Sequence, residues 1–242
     1  MVVAGGLTAL GGAAGCSGDD TGEAGASPTS SSGAAAASSD SSGSGGLDSS
    51  TGELPPPTRW IVTADFLAGT LTLVDYDALA AGERDPAVLV RGTIDLSAYA
   101  GPGAMEVEIA PDGHTALVSI TPAFFDTIVG QTLGFTDLEL DGVGLVVDLD
   151  TGEVVTELAT AHVPLGFAFT PDGTRAFSCN FGHAAAPGST LSVIDMATFE
   201  VLEDNEVGGG PEQIAIDASG TLGIFNVDAL DGVRVFEVAD PS

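Results

Sequence analysis

The chain of 242 residues carries 35 Asp and Glu against five Arg and no Lys, a net charge of −30. That charge repels phosphate backbones and anionic headgroups, so it excludes a nucleic-acid binder and leaves cations and basic partners as compatible ligands. The same surface suits a salty medium, where screening limits self-repulsion.

Residues 1–16, MVVAGGLTALGGAAGC, hold an apolar run too short to span a bilayer and read as a secretion signal. The end of this run, Ala13-Ala14-Gly15-Cys16, resembles a bacterial lipobox. The resemblance implies lipidation at Cys16 and an exported protein of the cell envelope, either an outer-membrane lipoprotein or an extracellular one. The alternative is a plain signal peptide with an incidental cysteine. Residues 17–58 are rich in Ser, Gly, Ala and Asp and end in Pro55-Pro56-Pro57. Such a composition buries too little apolar surface to offset chain entropy and reads as a disordered tether. A coil of this length spans roughly 35 Å, enough to lift a folded domain off a membrane surface.

Residues 59–242 repeat. The segment 164–201 reads as one four-stranded unit: a strand at 165–170, the tight turn Pro171-Asp172-Gly173, and a return strand at 175–180. A longer connection at 181–189 follows, then a β-branched strand at 190–195 and a short fourth strand at 199–202. The opening of the unit recurs as AMEVEIAPDG at 104–113 and PEQIAIDASG at 211–220. Its third strand recurs as LTLVDY, GLVVDL, LSVIDM and VRVFEV, with an acid at Asp75, Asp148, Asp195 and Glu237. The intervals are 73, 47 and 42 residues. A period of this length with four strands per period predicts an all-β protein, a β-propeller of about four blades. A single unit cannot bury both faces of its own sheet, and stacking against neighbours does.

The unit resembles the YVTN family of β-propeller repeats. The resemblance rests on Pro211 with Ile214-Ala215, on the turns Pro111-Asp112-Gly113 and Pro171-Asp172-Gly173, and on the run 193–198, VIDMAT. The last unit, VRVFEVADPS, also looks like the related LVIVD-type repeat. The resemblance implies a secreted propeller and leaves the ligand open, because the family includes surface-layer, scaffold and enzyme-associated members. The expected strand tally is three, four, four and three. That tally leaves a compact four-blade ring, an open arc completed by association with another chain, or a truncated frame, of which truncation or an incomplete arc is the expectation.

The chemistry-bearing residues sort by loop. His162 lies between two units and His183 between the second and third strands of the next, so they should share a face, whereas His114 lies in a Pro-Asp-Gly hairpin on the other. The insertion at 121–142 belongs to the His162/His183 face and brings Asp126, Asp137, Glu139 and Asp141 with three phenylalanines. Two histidines among carboxylates suit a ligand or a divalent cation, calcium or another, and no other cofactor is expected. They read equally as independent loop residues. Cys179 falls in a predicted inner strand, where it serves as a small hydrophobe with no base beside it. There is no glycine-rich phosphate loop, no G-x-S-x-G elbow, and a single tryptophan, Trp60. Two functions follow: a binding or scaffold module for an unidentified protein or small molecule, and, second to it, a lactonase-like hydrolytic enzyme with an acidic or metal-bound channel. A fragment without independent activity is the third reading.

Overall fold

The computed structural model describes residues 58–99, 103–121, 141–183, 186–227 and 232–241, all within the compact unit Glu53–Ser242. Cys16 and the tether lie outside the described residues. The described chain forms antiparallel sheets, which we number I to IV in chain order. Sheet I contains β1 (Trp60–Asp65), β2 (Thr70–Asp75) and β3 (Val90–Asp95); sheet II contains β4 (Ala104–Ile109), β5 (Thr115–Ile120), β6 (Val143–Asp148) and β7 (Val154–Leu158). Sheet III contains β8 (Pro164–Phe169), β9 (Arg175–His183), β10 (Ala186–Asp195) and β11 (Glu200–Glu206), and sheet IV contains β12 (Pro211–Ile216), β13 (Leu222–Val227) and β14 (Gly232–Glu237). Every strand pairs with its neighbour in sequence, so each sheet is a meander. The strand count of three, four, four and three is the one the repeat predicts.

The turns explain the recurring acids. Asp112 Oδ1 accepts from the backbone N–H groups of His114 and Thr115, and Asp172 Oδ1 accepts from that of Thr174. Gly113 and Gly173 complete these turns at φ of 79° and 69°, the left-handed region that glycine enters without a Cβ penalty. The acid that ends the third strand has the same task at the other turn. Asp148 accepts from Asp150 N and Thr151 N, and Asp195 from Ala197 N and Thr198 N. Asp75 instead caps a short helix, α1 (Tyr76–Ala80), through Ala78 N. A second helical turn, α2 (Pro86–Leu89), follows with Asp85 as its cap and proline at its first position. These two helical turns, together with the insertion at 121–142, stretch the first interval to 73 residues, and β2 still pairs with β3.

Sheets II and III bury both faces and sheets I and IV one each, because alternate side chains leave a strand on opposite sides and only the inner sheets have a neighbour on either side. Leu71, Leu73 and Ile94 of sheet I pack on Ala116, Val118, Ile120 and Val147 of sheet II. Leu117, Val146 and Leu158 on the other face of sheet II meet Phe167, Ala176 and Ile194 of sheet III. Phe177, Leu191 and Val193 of sheet III meet Phe225, Val227 and Phe236 of sheet IV, with the Phe177 and Phe236 ring centroids 5.4 Å apart. The first strands of successive sheets also touch: β4 packs on β8 and β8 on β12. Gly166 makes the second contact close, since a Cβ there would overlap the carbonyl oxygen of Glu212.

Two local expectations change. The stretch 181–189 is not a long connection: β9 runs on to His183, which pairs with Ala186. Gly182, at φ 76°, and Gly188 make this possible, because side chains there would overlap the facing backbone. Phe199 is not the start of a strand. It turns at φ 59° and donates its N–H to Asp195 O at 2.7 Å, and β11 begins at Glu200.

Candidate functional site

Asp141, His162 and His183 meet. Asp141 precedes β6, His162 lies between β7 and β8, and His183 ends β9, so two sheets contribute. His162 Nδ1 lies 2.9 Å from Asp141 Oδ1, and His183 Nε2 lies 3.3 Å from the same oxygen. The two imidazoles stand edge to face, with centroids 6.3 Å apart. His183 is buried at 8 % exposure of its side chain, whereas His162 and Asp141 are 58 % and 54 % exposed. One histidine is therefore anchored in the fold and the other faces solvent across a shared carboxylate.

The backbone beneath the trio is tightly specified. Val163 N donates to Asp141 O at 2.6 Å, Phe181 N to Val163 O at 2.9 Å, and Gly182 N to His162 O at 3.1 Å. These three bonds tie the histidine-bearing segments to the aspartate. Val163 is fully buried and holds φ at 54°, a conformation that a β-branched residue rarely adopts. Gly142 sits at φ 64°, where a Cβ would overlap the carbonyl oxygen of Ile120. The strain at Val163 persists only where surrounding structure over-determines it, whereas Gly142 adopts its φ freely. Neither residue belongs to a sequence motif; Gly142 next to an acid is the one visible hint.

The remaining candidates divide. Asp126, Asp137 and Glu139 lie outside the described residues. His114 is apart from the trio: it pairs with Asp150 at 2.9 Å, at the opposite end of sheet II from Asp141. Hydrogen bonding to Asp150, with the added attraction of that carboxylate, raises the His114 pKa above its ordinary value. Cys179 is fully buried in β9, and burial pushes its thiol well above the ordinary range, so it is inert as a nucleophile. Among the described residues no group of three or more His, Cys, Asp or Glu is arranged to hold a metal ion.

Two polar features escaped the sequence reading. Glu106 and Glu108 lie half-buried on β4, and the desolvation there pushes both carboxyls up to about 7. Gln213 of β12 donates its side-chain N–H to Glu106, joining sheets II and IV across the inner strands. In sheet III the buried Asn180 donates to Thr190 Oγ1 at 2.9 Å and to Ser192 Oγ at 2.7 Å. Ser192 Oγ in turn donates to Asp204. Alternation alone marks such positions as core without distinguishing a satisfied polar group from an apolar one.

Comparison with known proteins adds little. No family model and no curated protein matches the chain. The hydrazine synthase of Kuenenia stuttgartiensis is similar over 57 % of this chain at 23 % identity, with a TM-score of 0.44. The match takes in 33 % of that chain, and a likeness this loose bears neither on fold nor on activity. The chain is thus placed by its own architecture as an all-β protein of stacked antiparallel meanders. No helix among the described residues is long and apolar enough to cross a membrane.

Proposed function

We propose that the chain is an exported β-propeller binding module, with sheets I to IV as its blades and its ligand face at the end that carries Asp141, His162 and His183. The lipobox-like Cys16 would anchor it to the cell envelope, and the tether would hold the module away from the surface. The YVTN-type repeat supplies the propeller reading, and the meander topology and face-to-face stacking support it. The observation that carries the binding reading is the convergence of the trio. The imidazoles of His162 and His183 meet on one oxygen of Asp141, which falls in the insertion at 121–142, over a backbone that Val163 holds in a strained conformation.

Array binding tests it. The full chain is applied to arrays of glycans and peptides, alongside Asp141→Ala, His162→Ala and His114→Ala. A ligand bound by the wild type, weakened tenfold or more by the first two changes and unaffected by the third, supports the reading. Equal loss in all three, or no loss in any, refutes it. Export is tested separately, by labelling with radioactive palmitate in a bacterial host, where Cys16→Ala should abolish incorporation.

A second reading has one observation in its favour. Asp141 holds His162 through Nδ1, the arrangement by which a carboxylate orients an imidazole base. Hydrolysis of a lactone or ester that is lost in both His162→Ala and Asp141→Asn would establish it.

A further inference from the structure

Glu106 and Gln213 meet over the inner strand of sheet III. Glu106 lies on β4 of sheet II and Gln213 on β12 of sheet IV, 107 residues apart, and the Gln213 side-chain N–H donates to Glu106 Oε1. Between them runs β8, which packs on both strands. Gly166 of β8 lets the contact form: a Cβ there would overlap the carbonyl oxygen of Glu212 and crowd the Cα of Gln213. A side chain at 166 would push β12 away from β8 and carry Gln213 out of reach of Glu106.

Each partner is held by its own sheet. Gln213 N donates to Asn226 Oδ1 at 2.6 Å, and Asn226 Nδ2 donates to Glu212 Oε2 at 2.9 Å. Glu106 N donates to Ser119 Oγ at 3.0 Å. The apolar clusters join sheet II to III and sheet III to IV. Among the described residues, the Glu106–Gln213 bond is the hydrogen bond that spans II to IV.

The surroundings of Glu106 hold acids. Glu108 lies two residues further along β4, and Glu212 stands beside Gln213; both repel a charge on Glu106. Of the strands packed on β4, β5 and β8 carry no titratable side chain. The third, β1, carries Asp65, whose oxygens take the hydroxyls of Thr63, Thr70 and Thr72. Cys179 of β9 feels both Glu106 and Glu212, and its buried thiol stays protonated.

Two effects oppose each other when Glu106 loses its proton. A charged oxygen accepts more strongly from Gln213. Against that, the charge is half-buried and shares its space with two other carboxylates. Desolvation wins: it holds the carboxyl at about 7 despite the bond from Gln213, and the neighbouring acids add to it. Because Glu106 is only half-buried, rotation of its side chain takes the charge to water, and that rotation breaks the bond.

We propose that the Glu106–Gln213 contact is a proton-operated clasp. It ties sheet IV to sheet II across Gly166 while Glu106 holds its proton, and it opens when that proton passes to water. Sheet IV then rests on its apolar contacts with sheet III. The clasp lies on the inner strands and does not depend on the reading of the ligand face.

The test is nuclear magnetic resonance on the isotope-labelled full chain carrying Cys16→Ser, from about pH 5.5 to about pH 8.5. The side-chain N–H signals of Gln213 should shift across this range with a midpoint near 7. Amide exchange in β12 and β13, corrected for its intrinsic pH dependence, should be about tenfold faster at the upper end, where the clasp is open. Glu106→Gln keeps an acceptor and cannot ionise, so its Gln213 signals and its slow exchange should persist throughout. Glu108→Gln removes one repelling charge and should move the transition to lower pH without abolishing it. Should Glu106→Gln fail to fold, Gln213→Met decides in its place: it has no N–H to donate, and its exchange should be fast at both ends. Gln213 signals indifferent to pH, a transition that survives Glu106→Gln, or slow exchange in Gln213→Met at low pH would each overturn the proposal.

Discussion

Glu106 and Glu108 stand two residues apart on β4, and desolvation dominates both: each carboxyl is pushed up to about 7. For Glu106 the Gln213 hydrogen bond partly offsets that burial, and Glu212 and Glu108 add repulsion. Glu106→Gln removes the buried charge and keeps an oxygen to accept from Gln213. It should stabilise the fold by roughly 1–3 kcal/mol at pH 8 and have little effect at pH 5, read by chemical denaturation at the two values. Gly142 sets the opposite case. Alanine there would have to hold φ at 64° and overlap Ile120 O, so Gly142→Ala should cost about 1–3 kcal/mol and disturb the placement of Asp141. A heat melt, together with the histidine resonances of His162 and His183, would show both effects.

The strand–turn–strand element is where sequence and structure agree most closely, because its signals are local. A Pro-Asp-Gly turn and an acid at the end of the third strand act on backbone N–H groups two or three residues away. Their geometry is thus settled by neighbours in the chain. Replacing Asp195 by alanine should leave two turn N–H groups to water and lower the melting temperature slightly, with Asp148→Ala similar. Asp217 accepts from backbone N–H groups in the same way at the turn between β12 and β13. Leu222 N and the Ser219 hydroxyl, with Thr221 N and Ser219 N, hold its carboxyl down at about 2. Elements whose course depends on distant backbone were less legible. The extension of β9 and β10 past residue 181 needs Gly182 and Gly188 to meet across the hairpin, and glycine in a Gly/Ala/Pro-rich run reads equally well as loop.

At the scale of the molecule, the raised carboxyls set a pH dependence. Glu106 and Glu108 have folded values near 7 and ordinary unfolded values near 4.5. Their contribution to stability is fully present below the unfolded value and is lost as pH rises through 7. His114, raised by Asp150, acts in the same direction about its own ordinary value of 6.5. Asp77, held to about 2 by Thr58 and Arg59, and Asp217 act in the opposite direction but only below about pH 4. The melting temperature should therefore rise as pH falls from 8 to about 5 and drop again below 4. A scan by differential calorimetry that showed a maximum above pH 7 would contradict this assignment.

The all-β class, the strand tally and the turn chemistry are legible in the chain's residues, because periodicity and turn residues act over a few positions. The sequence also predicted a shared face for His162 and His183, and the described residues place both on one carboxylate, Asp141, with His183 at the end of β9 where a loop was expected. Which carboxylate that would be depended on the folded arrangement, since Asp141 is 21 residues from one histidine and 42 from the other. The fold alone decided that Glu106 and Glu108 lie half-buried, and that Ile224 and Val235 lie exposed where Leu117 and Val146 lie buried. All four apolar residues occupy equivalent positions in a strand and carry similar side chains. What separates them is whether another sheet is stacked on that face, and stacking is a property of the assembled molecule that no local pattern encodes.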